Sequence, residues 1–166
     1  YAYIRTYGMN ISIVRSFNVF GPRQRDLGYG GVISIFTRRV LSEMPPIIYG
    51  NGLQTRDYTY VEDTVRAYDL ILNHPEPLSE PINFGTGSEI SILDLANIII
   101  DLCGKKGKIE PVHVGPRIGE VKRLIADASR ANQLLGWEAK YEFKEGLQTF
   151  IEWYKKYGFE ERIKVE

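Results

Sequence analysis

Short β-branched runs alternate with amphipathic helical stretches along this chain, and that alternation limits the possible folds more than any other feature. ISIVR (residues 11–15) is a brief apolar run of the kind buried on both faces of a parallel sheet. Residues 31–43 set Val32, Ile35, Phe36 and Val40 on one side of a helix. PPIIYG (45–50) suits an extended edge segment, because its prolines exclude a helix interior. TRDYTYV (55–61) then predicts a strand, EDTVRAYDLILNH (62–74) a helix ended by the Pro75 and Pro77 region, and PINFG (81–85) another strand.

The second half continues the pattern. ISILDLANIIIDLCG (90–104) opens with Ser91 and Asp94 at capping-box spacing, Asp standing in for Glu, and closes at Gly104. After IEPVHV (109–114) and the loop GPRIGEVKR (115–123), a short helix is read near ASRANQLLG (128–136). A last helix runs from about 144 to 157, where Leu147, Phe150, Ile151 and Tyr154 recur at helical spacing before Gly158. The opening YAYIRTYGMN has no capping residue and stops at Gly8, which predicts the end of a helix cut from a longer chain. The sum is a mixed α/β unit without internal repeats.

Composition bounds the function. Of 166 residues 43% are hydrophobic, enough for a sizeable core. Twenty-one basic residues balance twenty-one acidic ones, so no overall field draws in nucleic acid or an anionic membrane, and any anion site must be local. No apolar run approaches the roughly 20 residues of a membrane-spanning helix, and no signal-peptide pattern opens the chain; a cytoplasmic location is expected. Cys103 is the sole cysteine and is expected to be buried; with only His74 and His113 beside it, no metal site is expected.

Gly85-Thr86-Gly87 runs from strand to helix in the outline of a dinucleotide-binding turn, but Ile90 stands where the third glycine belongs. A plain glycine turn into a capped helix is preferred. A better constellation comes from three other segments. Asn18, in the loop after ISIVR, can donate its amide to a phosphate, or close an Asx turn on its own backbone. Arg56 and Arg117 carry guanidinium forks that match phosphate oxygens, yet each has a nearby acid, Asp57 and Glu120, for a surface salt bridge. Glu120 could alternatively accept from a ribose diol, and Ile47 to Gly50 offers backbone groups beside the Tyr49 ring for a nucleobase edge.

RSFNVFGPRQ, IIYGNGLQTRDYTYVED, INFGTG and PRIGEVKRLIADASRANQLLGW, in that order, resemble the carboxyl-terminal part of the nucleotide-sugar epimerase and dehydratase family, the extended short-chain dehydrogenases. The resemblance implies substrate contacts from Asn18, Val32, Ile47, Tyr49, Arg56, Tyr58, Arg117 and Glu120, and cofactor contacts from Ser16, Phe17 and Phe20. It implies an α/β carboxyl-terminal substrate-binding domain (31–166) joined to the last strand of a truncated Rossmann fold (1–30). Family members carry a glycine-rich NAD site and a Tyr-x-x-x-Lys catalytic pair; neither is read here, Tyr1 having Arg5 four positions on.

The expectation is therefore a substrate-binding fragment with no catalytic residues, inert by itself, binding a UDP-sugar or related nucleotide sugar. NAD belongs to the intact parent enzyme and none is expected for the fragment. Its missing partner is an amino-terminal Rossmann domain, and its oligomeric state is left open. The implied parent reaction interconverts UDP-glucose and UDP-galactose at C4. A sugar-nucleotide 4,6-dehydratase, a UDP-glucuronate decarboxylase and a non-catalytic binding or protein-interaction module are the alternatives.

Overall fold

The structure, a computed structural model, describes residues 1–25 and 31–158. The chain opens with α1 (Ala2–Tyr7), stopped by Gly8 in the left-handed region at φ 63°. Then come β1 (Val14–Ser16), β2 (Val19–Phe20), α2 (Val32–Leu41), β3 (Ile47–Tyr49), β4 (Thr55–Arg56), β5 (Thr59–Tyr60) and α3 (Val61–Leu72). The second half holds β6 (Ile82–Phe84), β7 (Ile90–Ser91), α4 (Ile92–Leu102), β8 (Val112–Val114), β9 (Arg123–Leu124), α5 (Ser129–Leu135) and α6 (Phe143–Tyr157).

Parallel pairing dominates. β1 lies beside β6 with Val14 opposite Ile82, β2 beside β5, and β3 beside β8 with Ile47 opposite Val112. β4 sits between β9, parallel, and β7, antiparallel. Each parallel pair is separated in sequence by at least one helix, as parallel crossovers require. This corrects the expected fold class. Parallel strands and helices run in a Rossmann-like α/β arrangement through nearly all the described residues, in place of a small domain attached to one leftover strand. The boundary expected at residue 30 lies outside the described residues.

The apolar patterning sorts into two cores. One gathers α2, α4 and α6 through Phe36, Val40, Leu95, Ile99, Leu147 and Phe150. Removing each such side chain from water contributes roughly 1.5–3 kcal/mol. A smaller core holds Ala67, Ile82, Phe84 and Trp137, the indole meeting the Phe84 ring edge-on at 5.0 Å. Cys103 is buried as expected, and burial pushes its thiol up to about 11 against the opposing pull of Lys155 and Lys105.

Two strand expectations change. ISIVR is not a strand buried on both faces: pairing covers Val14–Ser16, and Arg15 and Ser16 are exposed. TRDYTYV splits into β4 and β5, because Asp57 turns inward, 0% exposed, to bind backbone elsewhere. Among the described residues no helix is long and apolar enough to cross a membrane, and no cluster of His, Cys, Asp or Glu could hold a metal ion.

Candidate functional site

A cleft of about 310 Å³ opens between α2, the β3–β4 turn and the loop before β9. The chain turns from β3 to β4 through Gly50 and Gly52, at φ 71° and 77°, values that favour glycine. A side chain at Gly52 would meet Ile48 and Leu93 at 3.0 Å, so this turn is seated directly on α4. That reversal puts Tyr49 and Arg56 on the same hollow.

Arg56 reaches across β4 to the loop before β9. Its Nη1 donates to the carbonyls of Thr55 at 2.8 Å and Val121 at 2.7 Å, and its Nη2 donates to Glu120 Oε1 at 2.6 Å. Arg117 lies over the Tyr49 ring, its guanidinium carbon 3.8 Å from the centroid. Asn18, strained at φ 27°, donates Nδ2 to the carbonyl of Asp57 at 2.7 Å, which ties the loop after β1 to the β4–β5 junction. Tyr58 is 5% exposed and its hydroxyl finds no hydrogen-bond partner among the described residues. Burial pushes its pKa well above the usual phenol range, with Arg56 pulling the other way.

All eight residues expected to meet substrate, Asn18, Val32, Ile47, Tyr49, Arg56, Tyr58, Arg117 and Glu120, line this one cleft. Their pairings differ from the local salt bridges considered from the sequence. Asp57 is no partner for Arg56; its carboxylate accepts from Thr86 N, Gly87 N and Ala126 N at 2.9, 2.9 and 3.1 Å and from Thr86 Oγ1 at 2.7 Å. Glu120 pairs with Arg56, while Arg117 stacks on Tyr49. The Asn18 amide donates to a carbonyl 39 positions away.

Arg38, Arg39 and Gln54 also line the cleft and were missed. Arg38 and Arg39 sit in the last turn of α2, where basic residues are read as complements of the helix dipole. Four arginines thus face the hollow against one glutamate, in a chain of zero formal net charge. Such a cleft suits an anion with several phosphate oxygens, held by forks and an amide.

The three residues expected to meet a cofactor do not form one group. Ser16 is exposed and Phe17 half-buried at the end of β1. Phe20 is 1% exposed, packed against Tyr58, Tyr60 and Phe143, and presents no surface to a ligand. The glycine turn at 85–87 does not fit a dinucleotide's phosphates, because the Asp57 carboxylate already takes the N–H groups of Thr86 and Gly87. Gly85 serves packing, since a Cβ there would lie 2.3 Å from that of Ala126. Of the three, Ser16 and Phe17 keep exposed surface.

Comparison with known proteins follows this geometry. The family model described as GDP-mannose 4,6 dehydratase matches residues 1–150. A putative UDP-glucose 4-epimerase of Methanocaldococcus jannaschii is 41% identical over 153 residues, covering 92% of this chain and 48% of that protein. The structure of an epimerase from Methanothermobacter thermautotrophicus superposes with a TM-score of 0.91 at 33% identity, covering 99% of this chain and 48% of that one. The UDP-glucose 4-epimerase of Thermotoga maritima, solved with UDP-glucose, gives 0.87 at 37% identity, covering 93% and 49%.

The chain spans about half the length of these relatives. The family match over residues 1–150 and the Rossmann-like alternation above correct four expectations. The readings as a carboxyl-terminal remnant, as a catalytically inert fragment, as a chain with no cofactor of its own, and as one lacking an amino-terminal Rossmann partner are all withdrawn. NAD stays open to this chain as a ligand. By that match, the chain belongs to the NAD-dependent nucleotide-sugar epimerase and dehydratase family of extended short-chain dehydrogenases.

Proposed function

We propose that the cleft binds the nucleoside diphosphate of a nucleotide sugar and that the protein is an NAD-dependent enzyme acting on the attached sugar, with 4-epimerisation of UDP-glucose as its reaction. One observation carries this reading: Arg56, Arg117 and Asn18, from three separate stretches, meet on a single hollow of about 310 Å³. Two guanidinium forks grip the two phosphates, and the Asn18 amide, once turned from the Asp57 carbonyl, adds a neutral donor. Ile47 and Tyr49 give the nucleobase a flat wall and backbone groups to read, and the Glu120 carboxylate accepts from the ribose hydroxyls. Val32 closes the apolar side.

Held this way, the nucleotide contributes binding energy remote from the reacting carbon and fixes where the sugar lies. NAD, when bound, supplies the hydride acceptor and donor for the sugar carbon. Two of the relatives above are named as UDP-glucose 4-epimerases, one of them putative, whereas the family model is named for a 4,6-dehydratase, so product analysis decides the reaction. Incubation with UDP-glucose and NAD is expected to yield UDP-galactose. A 4-keto-6-deoxy product would reassign the protein to the dehydratases, and carbon dioxide released from UDP-glucuronate would make it a decarboxylase. Calorimetry is expected to show UDP bound more tightly than dTDP or GDP; UDP binding that survives in an Arg56→Ala, Arg117→Ala double variant would overturn the assignment of the cleft.

A further inference from the structure

Arg39 lines the cleft but has no part in the contacts assigned above. It completes a stripe on α2, where Val32, Ile35, Phe36 and Arg39 fall at i, i+3, i+4 and i+7 and all line the hollow. Its Nε donates to the carbonyl of Pro45 at 2.6 Å, which fixes the guanidinium beside the approach to β3. Among the described residues no carboxylate pairs with it, so Nη1 and Nη2 keep their N–H donors for a ligand. Among the same residues β3 pairs with β8 alone, which leaves its other edge open. Val112 N donates to the Pro46 carbonyl at 2.9 Å and Gly50 N to the Val114 carbonyl at 3.0 Å, so the backbone groups of Pro46 and Gly50 turn towards β8. Backbone groups alternate sides along a strand, so those of Ile47 and Tyr49 turn to the open edge. Gln54 Nε2 already takes the Tyr49 carbonyl at 3.1 Å. What remains, in order along this wall, is the Tyr49 N–H donor, the Ile47 carbonyl acceptor and the Arg39 donors.

We propose that Arg39 is a specificity-determining residue that selects a pyrimidine with a carbonyl at C4 and rejects one with an amine there. The inference rests on the proposed function and deepens it. Arg117 stands over the Tyr49 ring, so the diphosphate and ribose lie at the Tyr49 end of β3. The base carbonyl beside the ribose bond, O2, then takes the Tyr49 N–H, and N3–H donates to the Ile47 carbonyl. O4, farthest from the ribose, reaches the Arg39 fork. Uracil's acceptor–donor–acceptor edge thus meets a donor–acceptor–donor wall. Cytosine turns its C4 amine, a donor, towards the Arg39 donors, with no acceptor between them. The backbone pair would be offered by almost any residues at 47 and 49, whereas Arg39 is a side chain that opposes the wrong base.

The test is calorimetric titration of the full chain with UDP, CDP and inorganic pyrophosphate, in the wild type and Arg39→Ala, each checked for folding by thermal melting. Arg39→Met, which keeps the aliphatic stem, replaces Arg39→Ala if the loss of the Pro45 anchor prevents folding. Removing the guanidinium is expected to weaken UDP about fivefold to thirtyfold, the worth of a charged donor on a carbonyl in a part-exposed site. CDP is expected to bind equally well or more tightly, and pyrophosphate to change by less than about twofold, so the gap between UDP and CDP narrows. Equal weakening of UDP and CDP, or a fall in pyrophosphate that matches the fall in UDP, would show that Arg39 acts through charge alone and overturns the proposal. An unchanged UDP affinity overturns it too. The Arg56→Ala, Arg117→Ala double variant separates the two readings: if it loses UDP while the gap between UDP and CDP survives in Arg39→Ala, only the base selection is wrong, and if it keeps UDP the assignment of the cleft fails with it.

Discussion

The guanidinium carbon of Arg117 stands 3.8 Å from the centre of the Tyr49 ring. Tyr49 is 38% exposed on the β3 edge, and the contact holds a long, otherwise mobile side chain against the cleft wall. A cation–π contact at an exposed site is worth about 0.5–1 kcal/mol. Tyr49→Ala is expected to weaken UDP about twofold to fivefold, while Tyr49→Phe keeps the ring face and the affinity. Calorimetry on the two variants checks this, and equal losses in both would show that the ring face is not what matters.

Asp57 holds three distant backbone N–H groups at once, those of Thr86, Gly87 and Ala126, with its side chain sealed from water. Asp57→Ala removes the acceptor and leaves those donors buried. The expected loss is roughly 3–5 kcal/mol, read as a lower midpoint in urea unfolding. Asp57→Asn keeps one carbonyl oxygen and is expected to fall between the two.

A methyl group on Gly85 would lie 2.3 Å from Ala126 Cβ and 2.9 Å from Asp57 Oδ2. Gly85→Ala is expected to destabilise by about 1–3 kcal/mol through overpacking. Pairing it with Ala126→Gly removes the nearest clash, so the double variant is expected to recover part of the loss. Strict additivity of the two single changes in thermal or urea unfolding would contradict the steric reading.

Glu89 joins β4 to β9. Arg123 donates Nε to its Oε2 at 2.6 Å, and Thr55 donates its hydroxyl to Oε1. The Arg123 bond, then the Thr55 bond, hold its carboxyl below the usual carboxylate range. A carboxyl depressed in the folded state adds stability that is present above its unfolded value and disappears as pH falls through the folded one. Glu89→Gln is therefore expected to lower the melting temperature at neutral pH and to flatten the acid side of the profile, from the ordinary glutamate range downward. An acid limb identical to the wild type would show that Glu89 is not among the groups titrating there.

Legibility in the sequence followed the range of each interaction. Ser91, whose side chain accepts from Asp94 N at 3.0 Å, and the buried stripe Leu147, Phe150, Ile151 and Tyr154 were readable because their signals repeat within a turn or two. β7 and β9, two residues each, are too short for any periodicity to register. The pairing of Asp57 was missed because its partners lie 29 to 69 positions away, whereas Arg56 stands adjacent and invites a local salt bridge. Arg117 and Glu120, three residues apart, looked like partners; in a loop that spacing puts no two side chains together, and each found a neighbour across the cleft. The cleft lining from Arg38 and Arg39 was hidden by an equally good reading as helix-end charges.

Asp63, in the first turn of α3, is sealed from solvent and accepts from Lys140 N at 3.0 Å and Tyr141 N at 3.1 Å, while its carbonyl accepts from Trp137 Nε1 at 3.1 Å. These partners are 74 to 78 positions along the chain, so the loop between them must close before any of the bonds can form. Helix α3 can begin alone, but its junction with the segment between α5 and α6 waits on that closure and is expected to form late in folding. Trp137 thereby becomes a natural clock: its indole leaves water when the start of α3 and the segment before α6 first meet.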